Sequence, residues 1–229
     1  MAHSVLIIGD SGSGKSTGIR NLNHEETVIL NTANKPLPFK GWKSMYCQEN
    51  KNILSLNDIV GDDGRVNFTK LGRIFQKINE RTEVKNFIID DFQYLFAFEY
   101  FARANEKGYD KFTQLAKSMS DVATAPITLR DDLMVFFLTH AEEAYDTEGN
   151  RKVKAKTIGK MVDNVLTLEG LFSIVLFAKS KKSKDGIDYL FETQTNGENT
   201  CKSPMDMFET RDIPNDLQLV REAINNYEN

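Results

Sequence analysis

A glycine-rich turn set between an apolar run and a helical stretch constrains this chain more than any other feature. Ser4-Val5-Leu6-Ile7-Ile8 is short, apolar and rich in β-branched residues, as a buried strand is. It runs into Gly9-Asp10-Ser11-Gly12-Ser13-Gly14-Lys15-Ser16-Thr17, and Gly14 to Leu22 then reads as a helix. The spacing Gly9-x4-Gly14-Lys15-Ser16 matches the pattern G-x-x-x-x-G-K-[ST]. Glycines let the backbone curl so that successive N–H groups converge on phosphate oxygens, and a following helix adds the positive end of its dipole. At average composition the pattern arises by chance in about one chain of this size in 100. Here it also stands between a strand and a helix, as the chemistry requires.

Those residue types assign roles. Gly9, Asp10, Ser11, Gly12, Ser13, Gly14, Lys15, Ser16 and Thr17 form the expected nucleotide-binding segment. Lys15 is expected to reach the β and γ phosphates of ATP, and the Ser16 hydroxyl to ligate Mg²⁺. A partner motif follows at Phe87-Ile88-Ile89-Asp90-Asp91, a strand ending in two carboxylates. Asp90 is the metal-side candidate. Asp91 is the candidate for polarising the attacking water, with a helix cap or solvated surface as the bland alternative. A further apolar run, Leu133 to Thr139, is followed by His140. Ligand sites of open α/β sheets lie beyond the carboxyl ends of the strands, so Thr139 or His140 is expected to sense the γ-phosphate or hold water. The alternative is that His140 merely begins a solvent loop.

The rest of the chain alternates strand and helix signals, which implies an α/β fold with a mostly parallel sheet covered on both faces. Thr27–Asn31 reads as the second strand, and a weak strand signal lies near Met45-Tyr46-Cys47. Phe68, Leu71, Ile74, Phe75 and Ile78 recur at helical spacing, predicting a helix over about 67–81. Helices are expected at 92–105, 109–123, 158–168 and 214–227. Residues 141–156 read as a polar connection with a turn at 147–150. Two strands, 172–178 and 186–192, flank a lysine-rich hairpin turn at 179–185. The expectation is a single domain over residues 1–229, with that hairpin near its C-terminal end.

Composition narrows the class. No apolar run of about 18 residues exists, so no membrane span is expected, and no leader pattern precedes Ser4. Cys47 and Cys201 match no metal spacing and read as packing residues of a cytoplasmic protein. The net charge of −4 excludes a broadly basic nucleic-acid binder, so any DNA contact has to come from a local patch. Two patches exist, Arg151-Lys152-Val153-Lys154-Ala155-Lys156 and the lysines of 179–184.

Together these residues resemble the RecA-like branch of P-loop ATPases. The chain is most similar to the short RecA-core ATPases of bacteriophages, which include single-strand annealing recombinases. The likeness rests on the early phosphate loop, the proline-bearing Asn34-Lys35-Pro36-Leu37-Pro38 after the second strand, and the polar Thr139-His140. It also rests on Gly159-Lys160 ahead of the β-hairpin and Cys201-Lys202-Ser203-Pro204 after it. The resemblance implies ATP, Mg²⁺, a sheet whose fourth strand lies between the first and third, a homo-oligomeric ring or filament, and single-stranded DNA as partner. It also implies that Lys202 serves a neighbour's phosphate. RecA-type proteins carry a water-activating glutamate after the second strand. Thr32-Ala33-Asn34-Lys35 has none, which moves that role to Asp91 or Glu142.

Two other readings fit the same loop. A small-molecule kinase of nucleoside type needs an arginine lid, with Arg130 and Arg151 as candidates. An ATP-gated binding module needs no turnover. A GTPase is disfavoured because no Asn-Lys-x-Asp segment is present.

Overall fold

In the computed structural model, which describes residues 1–145, 148–184 and 186–228, the apolar runs meet as neighbouring strands of one sheet. The strands are β1 (His3–Gly9), β2 (Thr27–Asn31), β3 (Ile53–Ser55), β4 (Asn86–Asp90), β5 (Met134–Tyr145), β6 (Arg151–Ala155), β7 (Ile174–Ser183), β8 (Gly186–Glu192) and β9 (Asp212–Pro214). The order is β3-β2-β4-β5-β1-β7-β8-β9, with β6 attached to the outer part of β5. The strands from β3 across to β7 run parallel, and β8 and β9 are antiparallel. The fold is thus a mostly parallel α/β sheet flanked by helices. The strand expected between the first and third, β5, pairs with both β1 and β4.

The central strands are apolar on both faces because both faces are covered. Leu6 and Ile8 of β1, Phe87 and Ile89 of β4 and Val135 and Phe137 of β5 enter one core. That core is closed by helices α2 (Phe68–Glu80), α3 (Gln93–Ala102) and α4 (Asp110–Thr124). The alternate residues Val5, Ile7, Ile88, Phe136 and Leu138 enter a second core. It is closed by Ile19, by Tyr46 beyond the short helix α1 (Trp42–Met45), and by Leu217, Val220 and Ile224 of α6 (Leu217–Glu228).

Five local expectations fail, each for a physical reason. The helix expected from Gly14 to Leu22 is only a 3-10 turn, Ser16–Asn21. Its Ser, Thr, Gly and Asn are weak helix formers, and Arg20 and Asn21 are drawn off to Asn215 and Asp216. The strand signal near Met45–Cys47 gives α1 instead, and the strand is β3. The Asn52 side chain ties the segment by donating to Met45 and His24 carbonyls and accepting from the Cys47 N–H.

Within the polar stretch, residues 141–145 are the outer half of β5 and pair with residues 151–155 of β6, their polarity reflecting charged cross-strand partners. The turn expected at 147–150 falls partly outside the described residues. The lysine-rich segment 179–184 is mostly strand, because β7 runs on to Ser183 against β8; residue 185 of the expected turn lies outside the described residues. The helix expected over 158–168 is reduced to α5 (Lys160–Asp163). The Asp163 carboxylate turns back to Lys154 and to the Thr157 hydroxyl and closes the segment after one turn.

The aromatic helix packs as expected at Phe92 and Phe96, which are buried, while Phe101 is exposed. Phe137 lies between Phe92 and Phe172, with ring centroids 5.1 and 5.2 Å away. Phe137→Ala is expected to cost about 3–5 kcal/mol of stability, read as a lowered denaturant midpoint with unchanged slope.

Candidate functional site

Parallel register brings the chemistry to one sheet edge. Gly9 pairs with His140, and Asn31 pairs with Asp90. The carboxyl ends of β1, β2 and β4 and the middle of β5 therefore surround one cleft of about 270 Å³, lined by Ser11, Gly12 and Gly14–Thr17 of the turn and by Lys35, Pro36, Pro38, Asp90, Asp91, His140 and Tyr189.

The turn after β1 is shaped by its glycines. A side chain at Gly9 would meet Ser13 Oγ at 2.5 Å and the Ala178 carbonyl at 2.7 Å. Gly14 has φ +93°, and a Cβ there would stand 2.6 Å from the Tyr189 ring. Lys15 is buried, and its ammonium donates to the carbonyls of Gly9 and Asp10 at 2.8 and 2.9 Å. Burial lowers its pKa to about 8, against the pull of Asp91, Asp90 and Asp10. Ser13 Oγ is buried without a hydrogen-bond partner. A buried cation on a curled glycine backbone suits a phosphate chain.

Ser16 Oγ donates to Asp90 Oδ1 at 2.8 Å. Burial and the neighbouring Asp91 charge push the Asp90 carboxyl up to about 6, with the Ser16 bond acting the other way. Among the described residues no group of three or more His, Cys, Asp or Glu side chains could hold a metal ion. The pair of hard oxygens at Ser16 and Asp90 fits a Mg²⁺ ion that completes its shell with phosphate and water.

Asp91 does not cap the following helix, whose N-cap is Phe92 with no side-chain bond. It takes a left-handed conformation, φ +59°, unusual for a residue with a side chain. Its carboxylate meets Lys35 Nζ at 2.6 Å and His140 Nε2 at 3.2 Å. Burial pushes its pKa up, but the bonds and charges from His140 and Lys35 outweigh this and hold it below the usual range.

His140 lies within β5 and does not begin a loop. Thr139, by contrast, is buried and donates to Gln93 Oε1 at 3.0 Å, so it does not line the cleft. The same Gln93 oxygen accepts from the His140 N–H at 3.2 Å. Glu142 faces Lys154 outside the cleft. Arg130 is spent on carbonyls of Ile78, Asn79 and Val84, and Arg151 pairs with Glu143 on the ribbon, so neither lines the cleft as a lid. Lys202 is engaged through its backbone with Val175.

Sequence reasoning missed Lys35, Gln93 and Tyr189 as site residues. Lys35 stood in the proline-bearing segment, but its reach to Asp91 depends on the β2–β4 register. Gln93 was a lone amide in an aromatic helix. Tyr189 had no signal, because only the pairing of β8 brings it to Gly14.

The glycine turn, its buried lysine and the paired Ser16 and Asp90 are arranged as in a P-loop, on a mostly parallel sheet of RecA-like fold. A model of the AAA domain family matches residues 1–205, and the chain belongs to that family of ATPase domains. Its backbone resembles that of a KaiC-like protein from the hyperthermophilic archaeon Pyrococcus horikoshii with a TM-score of 0.51, at 12% identity over 93% of this chain and 84% of that one. At that identity the likeness is one of fold. No curated protein sequence matches significantly. Among the described residues no helix is long and apolar enough to cross a membrane.

The contact between Gly14 and Tyr189 is testable by unfolding. Gly14→Ala is expected to destabilise by roughly 1–3 kcal/mol, from backbone strain and the ring clash together. Adding Tyr189→Ala relieves the clash alone. The double variant should therefore be more stable than the sum of the two single changes implies, by thermal or denaturant melting.

Proposed function

We propose that this chain hydrolyses ATP with Mg²⁺ and couples turnover to single-stranded DNA as a homo-oligomeric ring or filament in phage-type recombination or replication. The observation that carries the chemistry is the Ser16–Asp90 pair at 2.8 Å, set beside a buried lysine and a second, ionised carboxylate.

In this reading Lys15 exchanges its bonds to the Gly9 and Asp10 carbonyls for β- and γ-phosphate oxygens. The N–H groups of residues 11–17 cradle the chain of phosphates. The six-residue 3-10 turn contributes little dipole, so backbone donors and Lys15 carry the attraction. Ser16 and Asp90 would hold Mg²⁺, which would supply neutralisation of charge on the phosphates. Asp91 accepts a hydrogen bond from water. The water oxygen attacks the γ-phosphorus in line, the bond to the β-bridging oxygen breaks, and ADP leaves with that electron pair. The proton of water passes to Asp91, which His140 orients. Lys15→Ala is expected to abolish turnover; a variant that hydrolyses ATP at the wild-type rate would remove this reading.

For DNA, the support is local charge. Arg151, Lys154 and Lys179 are neutralised by Glu143, by Glu142 with Asp163, and by Glu192 with Asp212. Lys152, Lys156, Lys181, Lys182 and Lys184 are exposed. Exposed aromatics such as Phe101 and Tyr109 offer stacking surfaces. Single-stranded DNA should raise the ATPase rate at low salt, and the stimulation should fade steeply between about 50 and 200 mM salt. A rate indifferent to DNA at every salt concentration argues against the coupling.

A second reading is an ATP-gated binding module with little turnover. The ion pairs that Lys35 and His140 make with Asp91 favour it, since a carboxylate held ionised by two donors is a weak base.

A further inference from the structure

The segment that follows β2 is a loop built around a lysine. Asn31, at the end of β2, is buried, and its side-chain amide grips Lys35 at both backbone groups. Nδ2 donates to the Lys35 carbonyl at 2.6 Å, and Oδ1 accepts from the Lys35 N–H at 3.2 Å. Asn34 precedes it with φ +51°, a conformation that asparagine tolerates better than most residues. Pro36 follows and stiffens the exit. The ammonium reaches Asp91 Oδ2 at 2.6 Å and stands 5.4 Å from the centre of the Tyr94 ring.

This is more apparatus than a surface ion pair needs. Exposed pairs contribute little to stability, and the Lys35 side chain is 57% exposed. Lys35 lines the same cleft as Lys15 and Ser16. A cation held in that cleft is available to a phosphate oxygen as well as to Asp91.

We propose that Lys35 is a catalytic residue that contacts the γ-phosphate of ATP, and that in doing so it leaves Asp91 to His140 and to water. The proposal rests on the reading of the cleft as an ATP site. With ADP no phosphate oxygen reaches Lys35, and its bond to Asp91 persists. With ATP the γ-phosphate competes for the ammonium, so Lys35 both distinguishes triphosphate from diphosphate and frees the carboxylate only when there is a phosphoryl group to transfer. A lysine serves because its three N–H donors rotate freely between two oxygen partners.

The test is equilibrium binding of Mg²⁺-ADP and of the Mg²⁺ complex of the β,γ-imido analogue of ATP to the wild type, Lys35→Ala, Lys35→Arg and Lys15→Ala, with steady-state kinetics beside it. The expected result for Lys35→Ala is about a tenfold or larger loss of affinity for the ATP analogue, unchanged affinity for ADP, and a lowered kcat. Lys35→Arg should keep most of the preference for the triphosphate. A lysine that only props up Asp91 would leave the ratio of the two affinities alone. The proposal is therefore overturned if Lys35→Ala binds both nucleotides like the wild type, or loses affinity for both equally. If the wild type and Lys15→Ala alike bind neither nucleotide, the ATP reading of the cleft itself has failed. The two failures are distinct.

Discussion

Strand register is the constraint on which the cleft depends. Gly9 lies opposite His140, and Asn31 lies opposite Asp90, because β1, β5, β4 and β2 are locked in parallel with both faces buried. Along such strands a slip of one residue exchanges the two faces, sending Leu6, Ile8, Phe87 and Phe137 into the core that now holds Ile7, Ile88 and Phe136. The two cores differ in shape and in covering helices, so the slip is costly. Close packing far from the cleft thus sets which polar residues meet in it.

The charges that meet there are poised against each other. Burial weakens the hold of Lys15 on its proton and strengthens that of Asp90, so both are drawn toward neutrality. Asp91 is drawn the other way, toward the carboxylate, by the donors on either side of it. A polyanion entering beside Lys15 would favour its protonated form, and a cation at Asp90 would favour its ionised form. The two neighbouring aspartates are thereby distinguished by environment: the one bonded to Ser16 responds to whatever binds, and the one between Lys35 and His140 is ionised beforehand.

Much of this was legible in the amino-acid order, where chemistry and period coincide. The glycine turn, the Asp90-Asp91 pair at a strand end, and helix α2 all stand where spacing placed them. Where the sequence misled, polarity stood in for irregularity. Glu142, Glu143, Arg151 and Lys154 look like a loop because each is charged, yet they face one another across β5 and β6. For the same reason the order of residues left open whether His140 served the cleft or began a loop. Lys35 and Gln93 are functional neighbours only through contacts between residues 56 and 46 positions apart, a relation that no local pattern carries.

The ring of Tyr189 against Gly14 has a steric consequence. The β7–β8 hairpin carries exposed lysines near its turn and, midway along, where Tyr189 pairs with Ser180, a ring set against Gly14 of the phosphate loop. Gly14 has no side chain, so that ring lies directly against the backbone that leads into Lys15 and Ser16, and the space it fills is one that only glycine leaves open.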